Sequence, residues 1–370
     1  MSYRLDHLSQ TKMLAAYSIF LVISLSFVAH LTLFLLYAWP SSLETVYASN
    51  NSVQAFHLAQ LFLRAVFGNS ILVDRLPSVL SATATLFLIF RIANRWSGDI
   101  ASGAGLTLGF TLFPIAVYMF SQALPHALTA LIFTAALYLI SIDGNKSRYI
   151  APIAAALMCA SLLFLHGTGF VLFAVLLCLT FVELGNFWRS LAFVVVTALA
   201  VGLGISFLDP VGVPDFPLDL TTEFPNDRWL VSALQSYPMI WVAQFFAILS
   251  LVGSRPLRQL LAPEGVRRSL FLLAGFFGST SVLGLTQLPP HESAEMAFAP
   301  LLSLGVLASL PMVMWIRLIM PRVRSVVIWI ALPVIMYSCF WVILGPIDLT
   351  GFPYNLLMEE SIFSATQSPR

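Results

Sequence analysis

The chain has 370 residues, of which 59% are hydrophobic and only 9% charged, with a formal net charge of +1. A soluble domain carries roughly 25% charged residues, so this composition excludes a water-soluble fold and, for the opposite reason, a disordered chain. The near-zero net charge gives no sign of nucleic acid or another polyanion as partner, which leaves an all-α polytopic membrane protein.

Hydropathy over windows of roughly 20 residues predicts about eleven transmembrane helices. They fall at 14–38, 77–94, 98–121, 126–142, 149–165, 168–183, 188–207, 237–254, 268–287, 297–317 and 326–345. The whole of 1–370 reads as a single transmembrane domain. The first apolar run is longer than a signal-peptide core and no small-x-small site follows it, so it reads as an uncleaved span.

An outer loop follows at 39–76 and contains Glu44. Within it, His57, Gln60 and Arg64 recur at helical spacing along the otherwise apolar stretch 55–67. That pattern predicts an interfacial helix with one polar edge, turned either to lipid headgroups or to a cavity. Asp74, Ser78, Ser81 and Thr85 continue as a polar stripe into the next span. A polar stripe on a membrane helix should face the bundle interior. Asp74 and Arg75 are sequence neighbours and must point in different directions.

His166-Gly167-Thr168-Gly169 separates two apolar runs. It reads as a tight turn between two short spans or as a break in one buried segment. The outer stretch 209–237 holds Pro210, Pro214, Pro217 and Pro225 among five acids and Arg228. Proline at this density opposes helix, and the stretch is either a lid or a solvated connector. Later, His291 and Glu295 stand one helical turn apart. That spacing can hold a metal, and equally suits an acid in the first turn of a helix. A short outer tail, 346–370, ends the chain.

Alternating the spans from a cytoplasmic N-terminus leaves only Arg64, Arg75, Arg228 and Arg370 outside, and places the C-terminus outside too. This matches the positive-inside rule. Most acids, with His57, His126, His166 and His291, then collect on the outer face, which becomes the place to look for chemistry. The three cysteines, Cys159, Cys178 and Cys339, all lie in apolar runs and make no disulfide framework. The chain contains no phosphate-binding G-x-x-x-x-G-K-[ST] loop, no G-x-S-x-G elbow and no D-x-D pair.

Several short elements resemble the GT-C superfamily of integral membrane glycosyltransferases, typified by protein mannosyltransferase and aminoarabinose transferase. Gly68, Ser70, Arg75, Leu76, Pro77 and Ser78 match one family segment. Ser121, Gln122, Pro125, Ala127 and Leu128 are similar to a second, His166 to a third, and Ala299-Pro300-Leu301-Leu302 to a fourth. Taken in order, the elements cover about three-quarters of the chain. The sequence departs from the family at Ser42-Leu43-Glu44, where one acid stands in place of a pair, and at His126.

The resemblance implies a GT-C-like fold and transfer of a sugar from a polyprenyl-phosphate donor on the outer face of an inner or plasma membrane. The acceptor would be a lipid, glycan or protein. Glu44 is then the candidate catalytic base. Arg75 and Arg64 are candidate cations for the lipid phosphate. His57, Asp74, His126, His166, Arg228 and His291 complete the candidate substrate-binding set. No cofactor is implied, and a divalent metal stays open. Two alternatives remain: a catalytically inactive relative that binds a polyprenyl lipid or partner protein, and a lipid or solute transporter.

Overall fold

Ser70 starts the helix that organises the bundle. Its backbone is extended and its side chain accepts a hydrogen bond from the Val73 amide at 3.3 Å, capping α2, Ile71–Ser97. The preceding α1, Gln54–Phe67, ends at Gly68, whose φ of +86° only glycine adopts without strain. The computed structural model describes residue 24 and residues 54–111, 119–142, 150–184, 187–207, 238–285 and 298–319. These form an all-helical, multi-spanning membrane fold.

After α2 come α3 (Ile100–Thr111), α4 (His126–Ser141), α5 (Ile150–Ser161), α6 (Gly167–Glu183) and α7 (Phe187–Phe207). Then follow α8 (Pro238–Gly253), α9 (Arg255–Leu285), α10 (Leu302–Ala308) and α11 (Leu310–Ile319). Short 3-10 turns at Leu162–Phe164 and Ala299–Leu301 precede α6 and α10.

The expectation of about eleven transmembrane helices is overturned. Among the described residues three helices are long and apolar enough to cross a membrane: Ile71–Ser97, Phe187–Phe207 and Ala299–Ile319. A fourth appears only if α8 and α9, bent by 97° at Ser254, are one broken span. The physical reason is length. At 1.5 Å per residue, the 16 residues of α4 or the 17 of α6 reach about 25 Å, short of the roughly 30 Å of bilayer hydrocarbon. The expected spans at 14–38 and 326–345 lie outside the described residues, apart from Ser24.

Packing separates the helices by role. Helix α2 lies against α3 and α4, while α5 lies between α4 and α7, and α6 against α9. The core joins Leu86, Ile89, Phe133, Leu172, Leu176, Phe276, Phe298 and Leu304, all buried. Small residues bring α5 close to its neighbours, with Ala155, Ala156 and Cys159 fully enclosed. Helix α7 is different. Only Ser190, Phe193 and Thr197 are buried on it, and Leu199 and Leu203 are more than 60% exposed. A span with this exposure presents its apolar face to lipid.

Helix α9 contains a kink at Ala262, with φ 56° and ψ 168°, immediately before Pro263. Proline disfavours helical geometry in the residue before it. Upstream of the kink, Arg258 donates to the Leu251 carbonyl at 2.7 Å and to the Val252 carbonyl, closing the exposed end of α8.

Candidate functional site

Two residues of the polar edge of α1, Gln60 and Arg64, turn to the start of α2. Gln60 Nε2 donates to the Asp74 carbonyl at 3.1 Å. Arg64 forms a two-pronged ion pair with the Asp74 carboxylate, at 2.5 and 2.8 Å. Hydrogen bonding to Asp74 pushes the Arg64 guanidinium above its ordinary value, with burial pulling the other way. Both residues are therefore engaged in docking α1 onto the start of α2. His57 lies exposed on the same helix, beside a lipid-type surface of Leu58, Phe62 and Val66.

Arg75, the next residue, points in a different direction, since neighbours on a helix diverge by roughly 100°. It is 1% exposed and donates to Gln122 Oε1 at 3.4 Å. Ser78, one turn further, donates to the Leu124 carbonyl at 2.8 Å. Ser81 and Thr85 are also buried, so the polar stripe of α2 does face the bundle. Its purpose is now visible. Ser78 of the stripe, with Arg75 beside it, holds a short non-helical segment, Gln122 to Pro125, inside the protein. There the Leu124 amide bonds back to the Gln122 carbonyl at 2.8 Å, a three-residue turn. Non-helical backbone at this depth is tolerated only where protein or a cavity surrounds it.

Pro125 releases the chain into α4, which begins at His126, fully buried. A second interruption occurs at Leu165 and His166, between the 3-10 turn and α6. His166 is the N-cap of α6. Its Nδ1 accepts from the Thr168 amide at 3.2 Å and lies 2.7 Å from the Thr168 hydroxyl. Gly169 makes the tight approach feasible, because a Cβ there would collide with the Leu162 carbonyl oxygen. The break is thus a capped turn that ends one helix and starts the next.

The two histidine rings meet with centroids 4.5 Å apart and planes tilted by 53°. Helices α4 and α6 both contact the turns at Leu162–Phe164 and Ala299–Leu301. Two buried pairs therefore stand at the two ends of the Gln122–Pro125 break, Arg75 with Gln122 and His126 with His166. They offer a guanidinium, an amide and two imidazoles, a set suited to an anionic oxygen. Compared with known proteins, the chain matches no family model, no curated protein and no solved structure. The meaning of the two pairs must come from their own chemistry.

Of the residues named from sequence, His126 and His166 meet, Arg75 bonds to Gln122, and Arg64 and Asp74 pair with each other. Glu44, Arg228 and His291 lie outside the described residues, as do Glu295 and the Pro-rich stretch 209–237. Among the described residues no group of three or more His, Cys, Asp or Glu side chains is assembled to hold a metal. Sequence reasoning missed the roles of Gln122, Ser78 and Thr168. Their signal was Pro125 in an apolar run, four residues after Ser121, which marks a buried break and so asks what satisfies its carbonyls.

Proposed function

We propose that the chain transfers a sugar from a polyprenyl-phosphate donor to a lipid, glycan or protein acceptor at the outer membrane face. The observation that carries this reading is that Arg75 with Gln122, and His126 with His166, stand as buried pairs at the ends of one helix break. These are the positions, or the immediate neighbours of positions, on which the resemblance to GT-C glycosyltransferases rests. A buried arginine is costly in a membrane bundle and marks a functional position by default.

In the proposed reaction an acceptor hydroxyl attacks the anomeric carbon as the bond to the phosphate oxygen breaks. Polyprenyl phosphate leaves with the electron pair, and the hydroxyl proton passes to a base. Glu44 is that base in this reading, and Arg75 offsets the charge developing on the phosphate. Arg64, two of whose guanidinium nitrogens pair with Asp74, is the second candidate cation for the lipid phosphate.

The test is sugar transfer by purified protein from polyprenyl-phosphate sugars, with the glycoside detected by mass spectrometry. Arg75→Lys, which keeps the charge and loses the planar fork, should lower turnover by about a hundredfold. Glu44→Gln should abolish it. Transfer at the wild-type rate by either variant overturns that residue's role. A second reading, a lipid-binding relative without chemistry, draws on the single acid in Ser42-Leu43-Glu44. Lipid bound with no glycoside formed would select it, and flux across proteoliposomes without glycoside would select a transporter.

A further inference from the structure

We propose that one end of the bundle, around the bend between α8 and α9, binds the anionic phospholipid headgroups of the leaflet beside it. Arg95, Arg255 and Arg267 are the binding residues. The inference is independent of the sugar-transfer reading. Arg75 and Arg95 both lie on α2, about 30 Å apart at 1.5 Å per residue.

Contacts between helices collect these residues at one end. Arg268 pairs with Glu183 at the end of α6, and its guanidinium lies 4.8 Å from the Trp96 ring in the last turn of α2. Arg267 and Arg95 are the sequence neighbours of that contact. Arg317 on α11 pairs with Asp99 at 2.5 Å, just past the end of α2. Helix α8 runs in the same direction as α10 and α11. Its Ile240 packs on Gly305, and one turn later Gln244 donates to the Gly305 carbonyl and the Ser309 hydroxyl. The end of α8 therefore lies level with Arg317, and Arg255 opens α9 immediately beyond it.

The bend makes a two-faced segment. Helices α8 and α9 turn by 97° at Ser254, and Arg258 holds the turn through the Leu251 and Val252 carbonyls. Leu257 and Leu261 are buried in the core, while Arg255, Gln259, Glu264 and Arg267 are exposed. On the flanks Val252, Leu260 and Leu270 are more than half exposed. Exposed apolar side chains beside exposed guanidiniums mark the depth where hydrocarbon gives way to headgroups.

Charge decides the partner. Among the described residues three acids stand at this end, and two of them, Asp99 and Glu183, are paired with Arg317 and Arg268. Arg95, Arg255 and Arg267 form no hydrogen bond or ion pair among the described residues. Glu264 alone of those acids remains to oppose them. A phosphodiester headgroup supplies the missing negative charge to the guanidiniums, and its acyl chains suit the apolar flanks.

The experiment uses the full chain in nonionic detergent, titrated with phosphatidylglycerol or with phosphatidylcholine of the same acyl chains. Native mass spectrometry measures the bound lipid. An arginine near an anionic surface contributes about fivefold, so wild type should prefer phosphatidylglycerol by about tenfold or more. The double variant Arg255→Gln, Arg267→Gln should lose most of that preference. Its thermal midpoint in phosphatidylcholine should match wild type, because neither side chain loses a partner among the described residues. Glu264→Gln removes the opposing acid and should strengthen phosphatidylglycerol binding severalfold. Amide exchange over 254–268 should slow with phosphatidylglycerol and not with phosphatidylcholine.

Equal binding of the two lipids by wild type, or an undiminished preference in the double variant, overturns the proposal. So does unchanged or weaker phosphatidylglycerol binding in Glu264→Gln, whatever the folding of the double variant. Slowed exchange elsewhere but not over 254–268 overturns the location. Displacement of the lipid by an equal concentration of glycerol 3-phosphate overturns the leaflet assignment in favour of a soluble phosphate. An absence of sugar transfer with the lipid preference intact would remove the proposed function and leave this inference standing.

Discussion

Ser78 shows how one hydroxyl can hold a site in shape. The Leu124 carbonyl belongs to a buried, non-helical segment, and Ser78 supplies its hydrogen bond. A buried carbonyl without a donor costs about 1–3 kcal/mol. Ser78→Ala should therefore lower unfolding stability by that amount, while Ser78→Thr, which keeps the donor, should lose less. Thermal unfolding in detergent measures both, and equal stability of all three proteins would show that the segment does not depend on this bond. Asp74 and Arg75 make the complementary point. They are adjacent in sequence and opposite in role, because 100° of helical rotation sends one to Arg64 on α1 and the other to Gln122.

At the scale of elements, the decisive feature is where helices stop. Helix α6 begins against the turn that ends α5, and Gly169 is the point of closest approach. Gly169→Ala must displace either the Leu162 carbonyl or the first turn of α6. Overpacking of this kind costs about 1–3 kcal/mol, and it moves the helix that His166 caps. We expect reduced thermal stability together with weakened lipid-phosphate binding. Gly167→Ala is the control, since its Cβ would meet nothing within 4 Å. An unchanged Gly169→Ala protein would mean that the two turns are not rigidly coupled. The same principle bears on the span count, since the breaks at 122–125, 165–166 and 254 bound helices α4, α6 and α8 of 16, 17 and 16 residues, short of a bilayer crossing.

At the scale of the molecule, the far end of α2 is fastened by ion pairs between helices. Arg268 on α9 forms a two-pronged pair with Glu183 at the end of α6, and its guanidinium lies 4.8 Å from the centroid of the Trp96 ring. Arg317 on α11 pairs with Asp99 at 2.5 Å, and Asp99 also accepts from Ser102 at the start of α3. The Glu183 side chain is only 4% exposed. Arg268→Met strands that carboxylate, which should cost about 3–5 kcal/mol. The double variant Glu183→Leu, Arg268→Met removes both charges and should recover at least half of the loss. A double variant as unstable as the single one would show that packing by Arg268, rather than its charge, holds the three helices together.

The sequence by itself determined the membrane class, the all-helical content, the inward polar stripe of α2 and the divergence of Asp74 from Arg75. Each of these depends on composition or helical periodicity, which are local. It also named Arg75, His126 and His166 individually, because polar residues are scarce in an apolar chain. Only the tertiary structure decided that His126 meets His166, that Arg75 reaches Gln122, that Arg64 closes on Asp74, and that Ser78 supports the buried segment. Contacts between residues 46 or 47 positions apart leave no trace in a hydropathy window. The span count failed because an apolar run does not show how long its helix is, and only the folded chain gives that length.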